Sequence, residues 1–373
     1  MSKLIIVVNE DRFFLSHRKE IAIRAARSGF DVTIVCKDTG RKAEIEQLGM
    51  NVVEMPIDPT GMSLGAELKS FLFLWSFFRK QKPDIVHLVG LKCSLWGGLA
   101  GRLTRVRGML MAYSGLGVLF IKEPLSVTAR GTLAVLRFNH RKDNALALFQ
   151  NAEDKALFIK HKVVRDAQCR FIKGSGVDLS EFAYRPDPSG DVVTVIFTGR
   201  MIREKGVMDF CDAAERLRAE YQGRVRFIMC GRLSVAAGAL TGEEIEARCD
   251  GDYIQWLGFR TDVKDLLTES NIIVFPSYYR EGVPKSLIEA AAIGLPIITT
   301  DSVGCRDTVE EGVNGFKVPV KDSAALADRI RTLVDDRALR QRMGKESRRI
   351  AERDFSLEEV VLRHMSIYQE LLV

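Results

Sequence analysis

The 373-residue sequence predicts an α/β protein made of two doubly wound domains, each a parallel sheet with helices on both faces. Three observations predict it. Short β-branched runs alternate with amphipathic stretches, the alternation stops and restarts once, and the length exceeds what one hydrophobic core usually supports. The composition, 46% hydrophobic and 28% charged, is that of an ordinary soluble globular chain.

In the first half, strands are predicted at residues 4–8, 32–36, 52–55, 85–88, 109–112 and 145–149. The stretches between them are helical in spacing. Residues 15–28 place Leu15, Ile21, Ile23, Ala25 and Ala26 among arginines and a lysine, and Gly29 stops that helix. Strands restart at residues 192–197, 225–230, 253–256, 272–275 and 297–299, and the chain is helical after about residue 323. Residues 184–190, Tyr-Arg-Pro-Asp-Pro-Ser-Gly, have no periodicity and read as a linker. The expected domains are therefore 1–183 and 191–356, with a last helix at 357–373 able to cross back to the first. Two such Rossmann-like domains place a ligand cleft at the carboxyl ends of their strands.

Charge is uneven along the chain. Residues 1–183 hold 28 Lys and Arg against 18 Asp and Glu, a net +10, whereas the remainder carries −4. A basic first half suits an anionic partner, a membrane surface or a phosphate-bearing acceptor. Nucleic acid fits less well, because the arginines are not interleaved with exposed aromatics. The seven cysteines are scattered without Cys-x-x-Cys or histidine partners, as expected of reduced thiols rather than disulfides or zinc. The N-terminal residues read as a first strand, not a signal peptide. The longest apolar run, 71–78, is about half a membrane span. It reads as a helix buried on the sheet or, flanked by Lys69, Arg79, Lys80 and Lys82, as one lying on a membrane surface.

Two segments carry the chemistry. Phe197-Thr198-Gly199-Arg200-Met201-Ile202-Arg203-Glu204-Lys205-Gly206 follows the first strand of the second half and opens a helix. Such a turn presents backbone N–H groups and a positive dipole end to an anion, and Arg200 and Lys205 add two charges suited to a diphosphate. Further on, Tyr278-Tyr279-Arg280-Glu281-Gly282-Val283-Pro284-Lys285-Ser286-Leu287-Ile288-Glu289-Ala290 puts one carboxylate, Glu281, in a loop and a second, Glu289, on an apolar helix eight residues later. Pro284 suits the first helical turn, and Gly282 permits close backbone approach. Each carboxylate can bind sugar hydroxyls, or be a cap and a salt-bridged side chain.

Together, Gly199-Arg200…Glu204-Lys205-Gly206, Glu281-x7-Glu289 and Gly294-Leu295-Pro296-Ile297-Ile298 resemble glycosyltransferase family 4, of the glycosyltransferase-B fold. The likeness extends to the first half through residues 9–18, Ser114-Gly115-Leu116-Gly117 and Gly174-Ser175-Gly176-Val177-Asp178, similar to the branch that builds bacterial capsule, O-antigen and lipid-linked glycans. The resemblance implies a retaining, metal-independent transferase with no cofactor. It would move a hexosyl or N-acetylhexosaminyl group from a nucleotide sugar, UDP by family habit, to a polyprenyl-diphosphate-linked saccharide. Such an enzyme is cytoplasmic and peripheral at the inner face of the cell membrane. Arg200 and Lys205 would hold the diphosphate, Glu281 the transferred sugar and Glu289 the ribose. Backbone groups at Gly199, Gly282, Val283 and Leu287 would approach the donor, and Gly231, Phe259 and Arg260 would line the base. No Asp-x-Asp stands between the halves to hold a metal.

Two segments depart from the family pattern. The loop after the first strand lacks the usual glycine pair, and His87-Leu88-Val89 lacks the second histidine of His-x-His. His17 and Lys92, with Gly115 nearby, are acceptor-side candidates to fill the space beside Val89, while His87 reads as a core histidine. A non-catalytic nucleotide-sugar-binding scaffold and a nucleotide-sugar epimerase of the same architecture remain alternatives. A NAD-dependent oxidoreductase is weaker, because neither first strand leads into Gly-x-Gly-x-x-Gly.

Overall fold

The computed structural model describes residues 1–57, 63–120, 125–188, 190–234 and 239–373. The chain forms two compact units, Met1–Ser175 with Glu358–Val373, and Gly176–Leu357. The first contains strands β1 (Ser2–Glu10), β2 (Phe30–Lys37), β3 (Asn51–Glu54), β4 (Ile85–Val89), β5 (Gly108–Tyr113), β6 (Ala145–Phe149) and β7 (Cys169–Phe171). They pair in parallel in the order β3-β2-β1-β4-β5-β6-β7. The second contains β8 (Val193–Thr198), β9 (Val225–Cys230), β10 (Ile254–Trp256), β11 (Ile272–Phe275), β12 (Ile297–Thr300) and β13 (Gly315–Val318). Its parallel order is β10-β9-β8-β11-β12-β13. Strands β4, β5, β6, β8, β11 and β12 are buried along their whole length, which is why they read as continuous apolar runs rather than alternating ones. In each unit the strand order reverses beside the first strand, between β1 and β4 and between β8 and β11. A doubly wound sheet binds ligands at such a point.

Three boundaries differ from the sequence expectation. The predicted helix at 15–28 begins earlier and is broken at Arg18, leaving helices Asp11–His17 and Lys19–Arg27. The break sets Arg18 inward, 1% exposed. The segment at 184–190 is not a free linker; Ser189 lies outside the described residues, and the others belong to the second unit. Arg185 N donates to Ile293 O at 2.8 Å, and the buried Asp187 carboxylate accepts from Asn271 Nδ2 at 2.8 Å and pairs with Arg340 at 3.3 Å. The division falls instead after Ser175. Strands β7 and β13 were not expected.

The helix Leu357–Glu370 packs in the first unit from Glu358 onward. Tyr368 Oη meets His87 Nδ1 at 2.7 Å, and Gly108 leaves room for Leu371, which a Cβ there would approach to 2.7 Å. His87 is fully buried and its pKa is pushed well below the usual value, first by burial and then by the charges of His364 and Arg18. His87 is thus a core residue. Tyr368→Phe should cost ~1 kcal/mol for the lost hydrogen bond, and Tyr368→Ala ~3–5 kcal/mol for the emptied core. Urea denaturation checks both, and equal costs would contradict the role of the hydroxyl.

Candidate active site

In the second unit the loops at the carboxyl ends of β8, β9 and β10 are stitched together through glycines. Gly199 N donates to Cys230 O at 3.0 Å, and Gly231 N to Gly258 O at 2.9 Å. A Cβ on Gly231 would stand 1.6 Å from Gly199 O, so only glycine allows this approach. Beyond Gly199, residues Arg203–Lys205 form a single 3-10 turn, and Gly206, at φ 78°, starts the helix Val207–Tyr221. A Cβ on Gly206 would meet Pro276 O at 2.2 Å, which fixes the β8 loop against the loop after β11.

That second loop, residues 276–284, is held by one carbonyl. Glu204 O accepts from Tyr278 N at 2.8 Å and from Tyr279 N at 3.0 Å. Ser277 Oγ lies 3.2 Å from both Glu204 O and Glu281 Oε1. Ser302 Oγ donates to Ser277 O at 2.8 Å, and Gly304, at φ 82°, lets its backbone pass Gly282 O, where a Cβ would come within 1.8 Å. The result brings Lys205 and Glu281 into an ion pair, with side chains 11% and 12% exposed. Lys205 Nζ also lies 4.9 Å from the Phe275 ring centre and 5.8 Å from that of Tyr279. The exposed Arg200 places its guanidinium carbon 5.9 Å from the other partner of this cluster, the Tyr279 ring. Burial pushes the Tyr279 hydroxyl above its ordinary pKa, and the Arg200 charge opposes that rise.

Arg200, Lys205 and Glu281 therefore converge on Tyr279. Two cations and a carboxylate at the switch point of a parallel sheet can neutralise a diphosphate and bind hydroxyls together. Glu289 stands apart on the helix Lys285–Ile293, pairing with Lys285 at 3.7 Å and 16% exposed. Burial raises its pKa, Lys285 pulls it down, and Glu181 pushes it up. Pro284 is the cap of that helix rather than in its first turn, and no side chain caps the end. Val283 and Leu287 are 6% and 0% exposed and belong to the core of the second unit. Phe259 is 59% exposed with Arg232 4.3 Å over its ring, and Arg260 Nε donates to Asp262 at 2.8 Å. Arg260 is thus turned to a local acid. Among the described residues no group of three His, Cys, Asp or Glu side chains comes together to hold a metal.

In the first unit, His17 stacks on Phe13 with centres 4.2 Å apart, and its Nδ1 lies 2.6 Å from Ser16 Oγ. Arg18 joins it to the Ser114–Gly115 loop, donating to His17 O at 2.9 Å and to Ser114 Oγ at 3.1 Å. Gly115 takes φ 93° directly after β5. Lys92 is engaged elsewhere, with Glu67 at 2.9 Å, and Trp96 Nε1 also donates to that carboxylate. Val89, at the end of β4, is 2% exposed. No role is read from the sequence for Arg18 and Tyr279, though both fall in segments it singles out, and none for Glu67 and Ser277. Arg18 could have been found: it falls at helical spacing between Phe14 and Ala22, on the face otherwise apolar. Nothing in the pattern marks the other three.

The two parallel sheets and the cationic switch-point loop define a glycosyltransferase of the glycosyltransferase-B fold. The chain belongs to the family-4-like glycosyltransferases: residues 3–151 match the family Glycosyl transferase 4-like and residues 192–336 match Glycosyl transferases group 1. It is 22% identical to the N,N'-diacetylbacillosaminyl-diphospho-undecaprenol alpha-1,3-N-acetylgalactosaminyltransferase of Campylobacter jejuni, over 92% of each chain. It is 24% identical to the UDP-Gal:alpha-D-GlcNAc-diphosphoundecaprenol alpha-1,3-galactosyltransferase of Escherichia coli, over 92% of this chain and 90% of the other. Among solved structures, Anabaena HepE in complex with UDP and glucose superposes with a TM-score of 0.78 at 18% identity, covering 99% of this chain and 100% of that one. At that identity the last likeness speaks for the fold.

Two outcomes test the geometry. In a cycle of Lys205→Met, Glu281→Gln and the double variant, each single change leaves a poorly solvated charge or dipole, and the double recovers about 0.5–3 kcal/mol of coupling. Additive losses in urea denaturation would contradict a working pair. For Glu289, a folded pKa above the ordinary value means that the ionised carboxylate weakens the fold as pH rises. Glu289→Gln should therefore raise the melting temperature at pH 8, and the gain should fall away toward pH 4; a gain larger at pH 4 would contradict the burial.

Proposed function

We propose that this chain transfers a hexosyl or N-acetylhexosaminyl group from a UDP-sugar to a polyprenyl-diphosphate-linked saccharide, retaining the anomeric configuration and using no metal. The observation that carries the reading is the convergence of Arg200, Lys205 and Glu281 on Tyr279 at the switch point of the second sheet. The names of the Campylobacter and Escherichia relatives, both acting on diphosphoundecaprenol-linked sugars, support the acceptor class. The UDP complex of the Anabaena protein supports the nucleotide.

In this reading Arg200 and Lys205 carry the donor diphosphate, Glu281 holds hydroxyls of the transferred sugar and Glu289 those of the ribose. The bond from the anomeric carbon to the diphosphate breaks through a loose, oxocarbenium-like transition state. The acceptor hydroxyl attacks from the same face and passes its proton to a donor phosphate oxygen. The cations lower the barrier by stabilising charge on the leaving diphosphate. Loops of the first unit bearing His17 and Gly115 receive the acceptor.

Attachment to the inner face of the cell membrane completes the proposal. Helix Leu64–Gln81 buries Leu74 and Phe78, each 1% exposed, yet leaves Leu68 and Leu72 55% and 48% exposed near Lys69. Among the described residues no helix is long and apolar enough to cross a membrane. An exposed apolar stripe beside lysines suits a peripheral contact.

Thermal melting against UDP-, GDP- and ADP-sugars, with and without EDTA, tests the donor site. A shift with one UDP-sugar that survives EDTA and is lost in Glu289→Ala is expected, and no shift with any donor sinks the reading. Lys205→Ala should reduce turnover by about two to three orders of magnitude; near-normal turnover would remove Lys205 from the reaction.

A further inference from the structure

The amino-terminal edge of the first sheet carries a cluster of cations that the proposed transfer does not use. Arg107 and Asn144 immediately precede β5 and β6, whereas His17, Lys92 and Gly115 follow β1, β4 and β5, at the opposite edge. A cavity of about 110 Å³ opens here, lined by Arg102, Arg105, Arg107 and Lys142 with Met109 and Asn144, and by no acidic side chain.

The local acids are paired with other cations: Asp143 with Arg165, and Glu370 with Arg170. Among the described residues, none of the four lining cations forms an ion pair. A helix carboxyl end accounts for part of the cluster, since Arg102 and Arg105 close the helix Leu91–Thr104 and complement its dipole. It does not account for Arg107 and Lys142, which arrive from other segments. A fifth cation stands alongside: Arg102 and Arg141 lie over the same Phe138 ring, at 5.5 and 5.3 Å from its centre. Burial, and after it the charge of Arg141, lowers the Arg102 pKa. Arg105 holds a left-handed backbone, φ 61°, which a residue other than glycine rarely adopts. Like charges gathered in this way repel one another until an anion enters.

We propose that this cavity is a binding site for a phosphate group, either free or on the headgroup of an anionic phospholipid. Guanidinium forks match the oxygens of a phosphate in pairs, and Lys142 adds a point charge. At about 110 Å³ the cavity takes one such group, well below the ~300–1,000 Å³ of sites that hold a drug-sized ligand. Leu103, 53% exposed between Arg102 and Arg105, supplies apolar surface at the rim for the lipid case. The lipid source rests on the membrane-linked acceptor proposed above, and the free-phosphate source does not.

The experiment compares the full chain with Arg105→Ser/Lys142→Ser, two exposed positions. Melting is followed in inorganic phosphate and in chloride of equal ionic strength. Flotation is followed with phosphatidylglycerol-containing and with pure phosphatidylcholine vesicles. The double variant should melt slightly higher than the natural chain in chloride, because repulsion is removed, and should lose the response to the ligand. A phosphate-dependent rise without flotation assigns free phosphate. Flotation with phosphatidylglycerol only, lost in the variant, assigns the headgroup. Equal behaviour of both proteins in both arms overturns the site. Stabilisation by UDP-sugar, measured in parallel, should be the same in the two proteins; its absence from both speaks against the donor reading alone.

Discussion

Lys205 and Glu281 are each left only about a tenth exposed, and neither charge could stand there alone. Removing an ion from water costs several kcal/mol even after relaxation, and a partner at contact is what offsets it. The two residues lie 76 positions apart, on loops that follow β8 and β11. Those strands are adjacent because the sheet reverses its order between them. Gly206 against Pro276 O then brings these two loops closer than any side chain would allow, and Gly304 against Gly282 O packs the loop after β12 onto the second of them. The double acceptance at Glu204 O fixes their register. Sheet order, glycine placement and loop hydrogen bonds thus all converge on one ion pair.

This pair also shapes how an anion can bind. In the proposed transfer a diphosphate arriving at Lys205 would compete with Glu281 for the same ammonium group, so its affinity would be a difference between two charge-assisted interactions. On the proposed reaction the exchange is useful, because a carboxylate relieved of Lys205 can accept from sugar hydroxyls. Arg200 is exposed and close to Tyr279, so on the same proposal it would meet the ligand without giving up a buried ion pair. Two cations of the same formal charge therefore differ in what their binding costs.

Sequence made the fold legible wherever burial is symmetric. Strands such as β5 and β8 are covered on both faces, so their apolar runs survive as plain text. Strands β7 and β13, Cys-Arg-Phe and Gly-Phe-Lys-Val, escaped because they are mixed in character, and their pairing is set by neighbours rather than by their own pattern. The segment at 184–190 looked like a linker for a related reason: Asp187 reads as polar and exposed, yet Arg340 and Asn271, far along the chain, make it a buried anchor. In the candidate site, Arg200 and Lys205 stand out by their place after the first strand of the second half, whereas spacing alone leaves Glu281 and Glu289 ambiguous and the family resemblance singles them out. Of the partners that set their state, Lys285 is an i,i+4 neighbour of Glu289 on one helix and legible from spacing, whereas Ser277 and Tyr279 are placed by the tertiary contact to Glu204 O.

The buried cation of the first unit follows a different logic from Lys205. Arg18 is 1% exposed; its bonds go to the His17 carbonyl and the Ser114 hydroxyl, and among the described residues it has no carboxylate beside it and its Nε has no hydrogen-bond partner. Burial lowers its pKa to about 10, still far above neutrality, so the charge stays. Burial lowers the pKa of both neighbouring histidines, and the Arg18 charge adds to it, with His364 held at about 3 and His87 well below its ordinary value. A buried charge without a counter-ion is a net cost to the fold. What Arg18 supplies in return is a rigid tie between the turn after β1 and the loop after β5, two loops at the carboxyl edge of the same sheet. The second unit neutralises its buried lysine with an acid, whereas the first leaves its buried arginine positive. The +10 charge of residues 1–183 is therefore more than a solvated surface: one cation of it is built into the core beneath the loops that follow β1 and β5.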